Sequence, residues 1–193
     1  MNIYKLKQFL LTGLFIFLFT GYGYCGFRAT IHAEGEYSGG QNQADVVIGI
    51  GPQESKKMAI PAGPKNTCNL GIVDPKDWSE GLQEWIQKIG EQQFIWVLVL
   101  DPHGKDEYEG FRTSTMSWNP DELGPGTFEL RKGFDQNGEL VIPDMKSVTS
   151  ISDSDNAPAA HYYAIIYKPD YNIYSSYYLS QIIKTLRLLT NTK

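Results

Sequence analysis

"VVIGIGPQESKK", Val46 to Lys57, is the stretch on which the choice of fold turns. An apolar run that ends in Gly49-Ile50-Gly51, with Lys56 and Lys57 downstream, is how a phosphate-binding strand–loop–helix unit begins. A dinucleotide fingerprint needs a third glycine three positions after Gly51, and Glu54 stands there. Pro52 has no backbone N–H to offer a phosphate. The other phosphate loop would require Gly-Lys-Ser/Thr downstream of Gly49, and that sequence is missing. The stretch therefore reads as a strand running into a turn, and a parallel α/β sheet loses its main support.

Its surroundings read the same way. "FRATIHA" (Phe27–Ala33) alternates apolar and polar residues, and "ADVVIGI" (Ala44–Ile50) follows a polar, glycine-rich turn. Further runs are "TCNLGIV" (Thr67–Val73), "FIWVLVL" (Phe94–Leu100), "RTSTMSW" (Arg112–Trp118), "TFELRKG" (Thr127–Gly133), a run over Glu139–Ile151, and "HYYAIIY" (His161–Tyr167). They are rich in β-branched and aromatic residues and bounded by Gly, Pro, Asn and Asp. "DQNG", Asp135–Gly138, reads as a hairpin turn, because Asn-Gly readily takes the positive φ angles of such turns. Eight short runs at this spacing predict an all-β fold, an antiparallel immunoglobulin-like or jelly-roll-like β-sandwich.

Three segments stand apart. Leu82, Trp85, Ile86 and Ile89 follow helical spacing, so Leu82–Ile89 is either a short helix or a twisted edge strand. Pro52–Asn66, with three prolines and a small charge cluster, reads as an exposed linker. In "YYLSQIIKTLRLL", Tyr177–Leu189, the apolar residues line one side of a short C-terminal helix that ends in Lys184 and Arg187. Packing on the body is the favoured role of that tail, and docking onto a membrane or a partner the less favoured one.

The N-terminus gives an address. Lys5 and Lys7 precede the uncharged run Phe9–Phe19, and the small residues Gly21 and Gly23 then lead to Cys25-Gly26. That order reads as a cleaved secretory signal, with an uncleaved N-terminal anchor as the alternative, and the run is too short for a comfortable membrane span. The expected organisation is a signal peptide over 1–25, a β-sandwich domain over 26–170 and a helical tail over 171–193, secreted or held at the cell surface. Of 17 basic and 22 acidic side chains, two lysines leave with the signal, so the remaining charge is −7. An acidic chain argues against nucleic acid as a partner. The two cysteines, Cys25 and Cys68, can pair only if cleavage precedes Cys25; otherwise Cys68 is a lone buried thiol. No zinc spacing occurs, and no cofactor is expected.

The order "ADVVIGIGP", a Pro-bearing linker, "WSEGLQEWI", "FIWVLVLDP" and "SWNPDELGPGTFEL" (Ser117–Leu130) resembles immunoglobulin-like β-sandwich modules of large secreted bacterial proteins. The resemblance covers Phe27 to Tyr167. It implies an extracellular, non-catalytic role and brings no active-site residues with it. The chain departs from those modules in its helix-like tail, where no sorting domain is recognisable.

Chemistry has little material to work with. Asp101 and His103, in the loop after a buried strand, are the best catalytic pair, yet no G-x-S-x-G elbow accompanies them. Asp-Pro opening a turn and His103-Gly104 closing it is the favoured reading, so no catalytic residue is assigned. His32 and His161 read as ordinary surface or edge residues. The acidic stretches Ser152–Asn156 and Asp106–Glu109 read as solvated turns in preference to calcium loops. Trp96 and Trp118 lie in strand runs and are expected in the core. Trp78 and Trp85 lie in the irregular middle segment and are expected to be exposed, which makes them the candidate ligand-binding residues. The expected function is surface attachment or assembly through a protein partner. A carbohydrate-binding module that stacks a polysaccharide on exposed aromatics is the alternative, and a hydrolase a distant third.

Overall fold

The structure is a computed structural model and describes residues 26–37, 40–58, 69–101, 112–155 and 161–170. The expected signal (1–25), both cysteines, the loop bearing His103 and the C-terminal tail (171–193) lie outside the described residues. The described body, Gly26–Pro169, is all-β, with one short 3₁₀ turn at Pro120–Glu122.

Its strands are β1 (Phe27–Tyr37), β2 (Gly40–Gly51), β3 (Ser55–Met58), β4 (Asn69–Asp74), β5 (Asp77–Lys88) and β6 (Phe94–Asp101). β7 (Arg112–Trp118), β8 (Gly126–Lys132), β9 (Glu139–Ile142), β10 (Ser150–Asp155) and β11 (His161–Pro169) complete them. They form one hydrogen-bonded sheet in the order β10-β7-β1-β2-β5-β4-β6-β11-β8-β9, with β3 paired to β5. Every pair is antiparallel except β2 with β5.

Eleven strands replace the eight expected runs for three physical reasons. Glu139–Ile151 breaks at Pro143 into β9 and β10. The supposed linker contributes β3, fully exposed yet paired along β5. Leu82–Lys88 is a strand, with Ile89 just past its end: β5 is flanked on both sides and buried at Glu84, Trp85 and Ile86 in succession. A strand buried on both faces, with a register shift near Leu82, buries Leu82, Trp85 and Ile86, and with buried Ile89 after it the pattern matches a helix face.

β5 is also where the sheet turns. Leu82 has Ile72 of β4 as one neighbour and Met58 of β3 as the other, whereas Glu84 lies between Val47 of β2 and Lys57 of β3. β3 thus keeps one side of β5, and β2 and β4 share the other end to end. Two leaves result, β10-β7-β1-β2 and β4-β6-β11-β8-β9, and they curl toward each other. β1 and β8 lie in different leaves and do not pair. The rings of Phe27 in β1 and Phe128 in β8 are nevertheless 5.3 Å apart. The two layers expected of a sandwich are therefore leaves of a single sheet.

Between the leaves lies an aromatic core. Phe27, Phe94, Trp96, Phe128 and Tyr167 pack against one another, all buried. Trp96 and Trp118 are core residues as expected, and each indole N–H donates to a backbone carbonyl, of Trp85 and of Met145. The glycines of the opening stretch serve packing. A Cβ at Gly49 would lie 2.2 Å from the Phe27 carbonyl and 2.9 Å from Ile86 Cδ1, so Gly49 lets β1, β2 and β5 approach one another.

"SWNPDELGPGTFEL" carries the chain across the molecule. Asn119 caps the 3₁₀ turn, its side chain accepting from the Asp121 N–H at 3.1 Å. Gly126 then starts β8 at φ +123°, where a Cβ would meet the Lys168 carbonyl at 2.4 Å. The strand that follows, β8, joins β11 and β9 in the other leaf.

Candidate functional site

Trp85 is not the exposed aromatic expected from its polar sequence neighbours. It is 8% exposed, its indole N–H donates to Glu54 Oε1 at 3.0 Å, and the Lys56 ammonium lies 4.7 Å from its ring centre. Lys56 is fixed there by Asp74 at 2.6 Å, and that bond holds the Asp74 carboxyl below its usual range. A ring closed off in this way offers no stacking platform. Glu84, next in the chain, is a buried carboxylate on which Arg28 and Lys57 converge, both more than half exposed. Trp78 sits on β5, and its side chain lies outside the described residues. Asp101 ends β6, and its side chain, with His103, also lies outside them.

The acidic stretch at Ser152–Asp155 is a strand, not a turn. Its alternation sends Ser152 and Ser154 outward and Asp153 inward, opposite buried Ser114 of β7. There the Asp153 carboxylate accepts from the Tyr163 hydroxyl at 2.5 Å and is bonded to Nδ1 of His161. His161 is therefore no ordinary surface residue: the Asp153 and His161 side chains are each only 12% exposed. Burial pushes the Asp153 carboxyl up, but the bonds from Tyr163 and His161 outweigh it and hold the group below its usual range. Burial and the same carboxylate push the Tyr163 hydroxyl far above its ordinary value. His32 makes a more exposed pair with Asp45, at 2.5 Å. Among the described residues no group of three or more His, Cys, Asp or Glu side chains is placed to hold a metal ion.

The surface that stands out is the β8–β9 hairpin. Its turn closes through Asp135, whose carboxylate accepts the Asn137 N–H at 2.7 Å and whose carbonyl accepts the Gly138 N–H. Gly133, where the chain leaves β8, takes a positive φ of +120°, and Gly138 does not. On the returning strand, Leu130 faces Ile142 while Arg131 faces Leu140, which leaves Val141 as the extra residue of a bulge. Ile142 alone points inward; Phe134 and Leu140 are 46% exposed and Val141 37%. Phe134 packs against Tyr162 of β11 with ring centres 4.5 Å apart. Three large apolar side chains thus lie open on one hairpin at the edge of the sheet.

None of these three residues stands out in the sequence as a candidate. A signal exists all the same: "LVI" places two adjacent apolar residues in a strand whose side chains alternate, so one of them must face outward. No family model, no curated protein and no solved structure matches the chain.

Proposed function

We propose that the protein is a secreted, non-catalytic β-sandwich module that acts in cell-surface attachment or assembly through protein contacts. The observation that carries this reading is the exposed apolar strip of Phe134, Leu140 and Val141. Large apolar side chains at an edge are what a protein partner buries, with aromatic residues as the usual anchors. The edge is poorly suited to direct strand addition, because β9 has four residues, carries a bulge and is followed by Pro143. Contact is made by side chains. The secretory pattern of residues 1–25 supports the extracellular setting. The carbohydrate alternative loses support, since Trp85 lies beneath Lys56.

The test uses the full chain and the surface of the cells that produce it. Binding to intact cells should be lost after protease shaving, and Phe134→Ala and Leu140→Asp should each weaken it about tenfold or more. Binding that survives shaving and both substitutions, together with a positive result on a polysaccharide panel, overturns the reading in favour of a carbohydrate module. Substrate turnover that is abolished by His103→Ala overturns it in favour of an enzyme.

A further inference from the structure

The two ends of the ladder differ. β9 is held by β8 and by its inward Ile142, whereas β10 is paired only with β7 and is poor in apolar residues. Ser150, Ser152 and Ser154 are exposed, and Ile151 is the one apolar residue of the strand. Aspartate, at Asp153 and Asp155, also has low strand propensity. A strand with so little buried apolar area belongs to the least stable part of a fold. Its N-terminal side is tied down, since Met145 is fully buried and the Trp118 N–H donates to the Thr149 carbonyl at 2.9 Å. Along the strand itself, the inward polar contact is Asp153, reaching His161 and Tyr163 on β11 in the opposite leaf.

We propose that β10 is a releasable edge strand, latched across the seam between the two leaves by Asp153 on Tyr163 and His161. The latch is a carboxylate that receives donors from a strand seven ladder positions away, so it joins leaves that the backbone ladder does not join at this seam. Among the described side chains, the titratable and charged groups facing Asp153 are His161 and Tyr163 on β11 and Lys132 on β8; β7 presents neutral Ser114. All three titratable neighbours favour the ionised carboxylate. Release would leave β7 with an unpaired edge along Arg112–Ser117, the kind of edge that an extended strand of another chain can occupy.

Amide hydrogen exchange on the full chain, read strand by strand, tests this. In the parent, β10 amides should exchange faster than those of β6 and β11. Asp153→Asn should lower β10 protection about tenfold or more and leave β6 and β11 within twofold; Tyr163→Phe should do the same to a smaller extent. Because the folded Asp153 carboxyl is held below its usual range, the latch is in place above an ordinary carboxylate value of 3.8. It is lost as pH falls through the depressed value, so acid should reproduce Asp153→Asn in the parent before the other strands open. Unchanged β10 protection in both variants overturns the proposal. So does equal loss of protection in every strand with Tyr163→Phe, which would make the cluster part of the global core.

Discussion

The Trp85 ring lies beneath the Lys56 ammonium, and its indole N–H is bound to Glu54, so both its face and its polar tip are engaged within the protein. The polar residues around it in sequence, Gln83, Glu84 and Gln87, do not mark an exposed site. Glu84 is itself buried beneath Arg28 and Lys57, and Gln87 turns its amide onto the Ile95 carbonyl at 2.7 Å. Trp85→Ala should therefore act on stability: a loss of about 3–5 kcal/mol in urea unfolding, the usual cost of removing a buried large aromatic. Trp85→Phe keeps most of the packing and should cost about 1 kcal/mol, close to one hydrogen bond. A Trp85→Ala protein of parental stability with a specific binding defect would restore the exposed-aromatic reading.

Among the elements, the β8–β9 hairpin depends on one side chain for its geometry. Asp135 accepts the Asn137 N–H, and that short-range bond sets the turn that displays Phe134, Leu140 and Val141. Asp135→Ala should cost about 1 kcal/mol of stability and loosen the hairpin, lowering partner affinity without any change to the apolar residues. Unfolding and binding measured on the same variant check both effects. The turn is legible in the sequence because Asp-Gln-Asn-Gly is local chemistry. β1, β6, β7 and β11 are legible because each is a continuous apolar or alternating run, and β7 ends where expected, at Trp118. β3 is not, since an exposed Ser-Lys-Lys-Met strand exists only through its pairing with β5. β5 is ambiguous because burial on both faces erases the two-residue period. The Asp153 cluster is hidden for a further reason: its members lie in strands that never pair, and only the curling of the sheet brings them together.

At the scale of the whole molecule, that curling is held by side chains that meet between the leaves, and Phe27, the first residue of the first strand, is central among them. Its ring packs edge-on against Trp96 at 6.1 Å, Phe128 at 5.3 Å and Tyr167 at 5.1 Å. These partners lie on β6, β8 and β11, all in the opposite leaf. Removing Phe27 would thus weaken the closure of the entire sheet. A buried phenylalanine replaced by alanine costs about 3–5 kcal/mol, a large share of the 5–15 kcal/mol by which a typical domain is stable. Phe27→Ala should lower the melting temperature by roughly 10 °C in a protein of this size. The same geometry bounds processing. If residues 1–25 act as a signal, cleavage must leave Phe27 on the mature chain, since a chain starting at Arg28 would lack the ring on which three core aromatics converge. Intact mass of the secreted product should place its first residue between Gly21 and Phe27. A native product that begins at Arg28 or later and melts with the longer chain would show that the leaves close without Phe27, and that its three ring contacts do not hold them together.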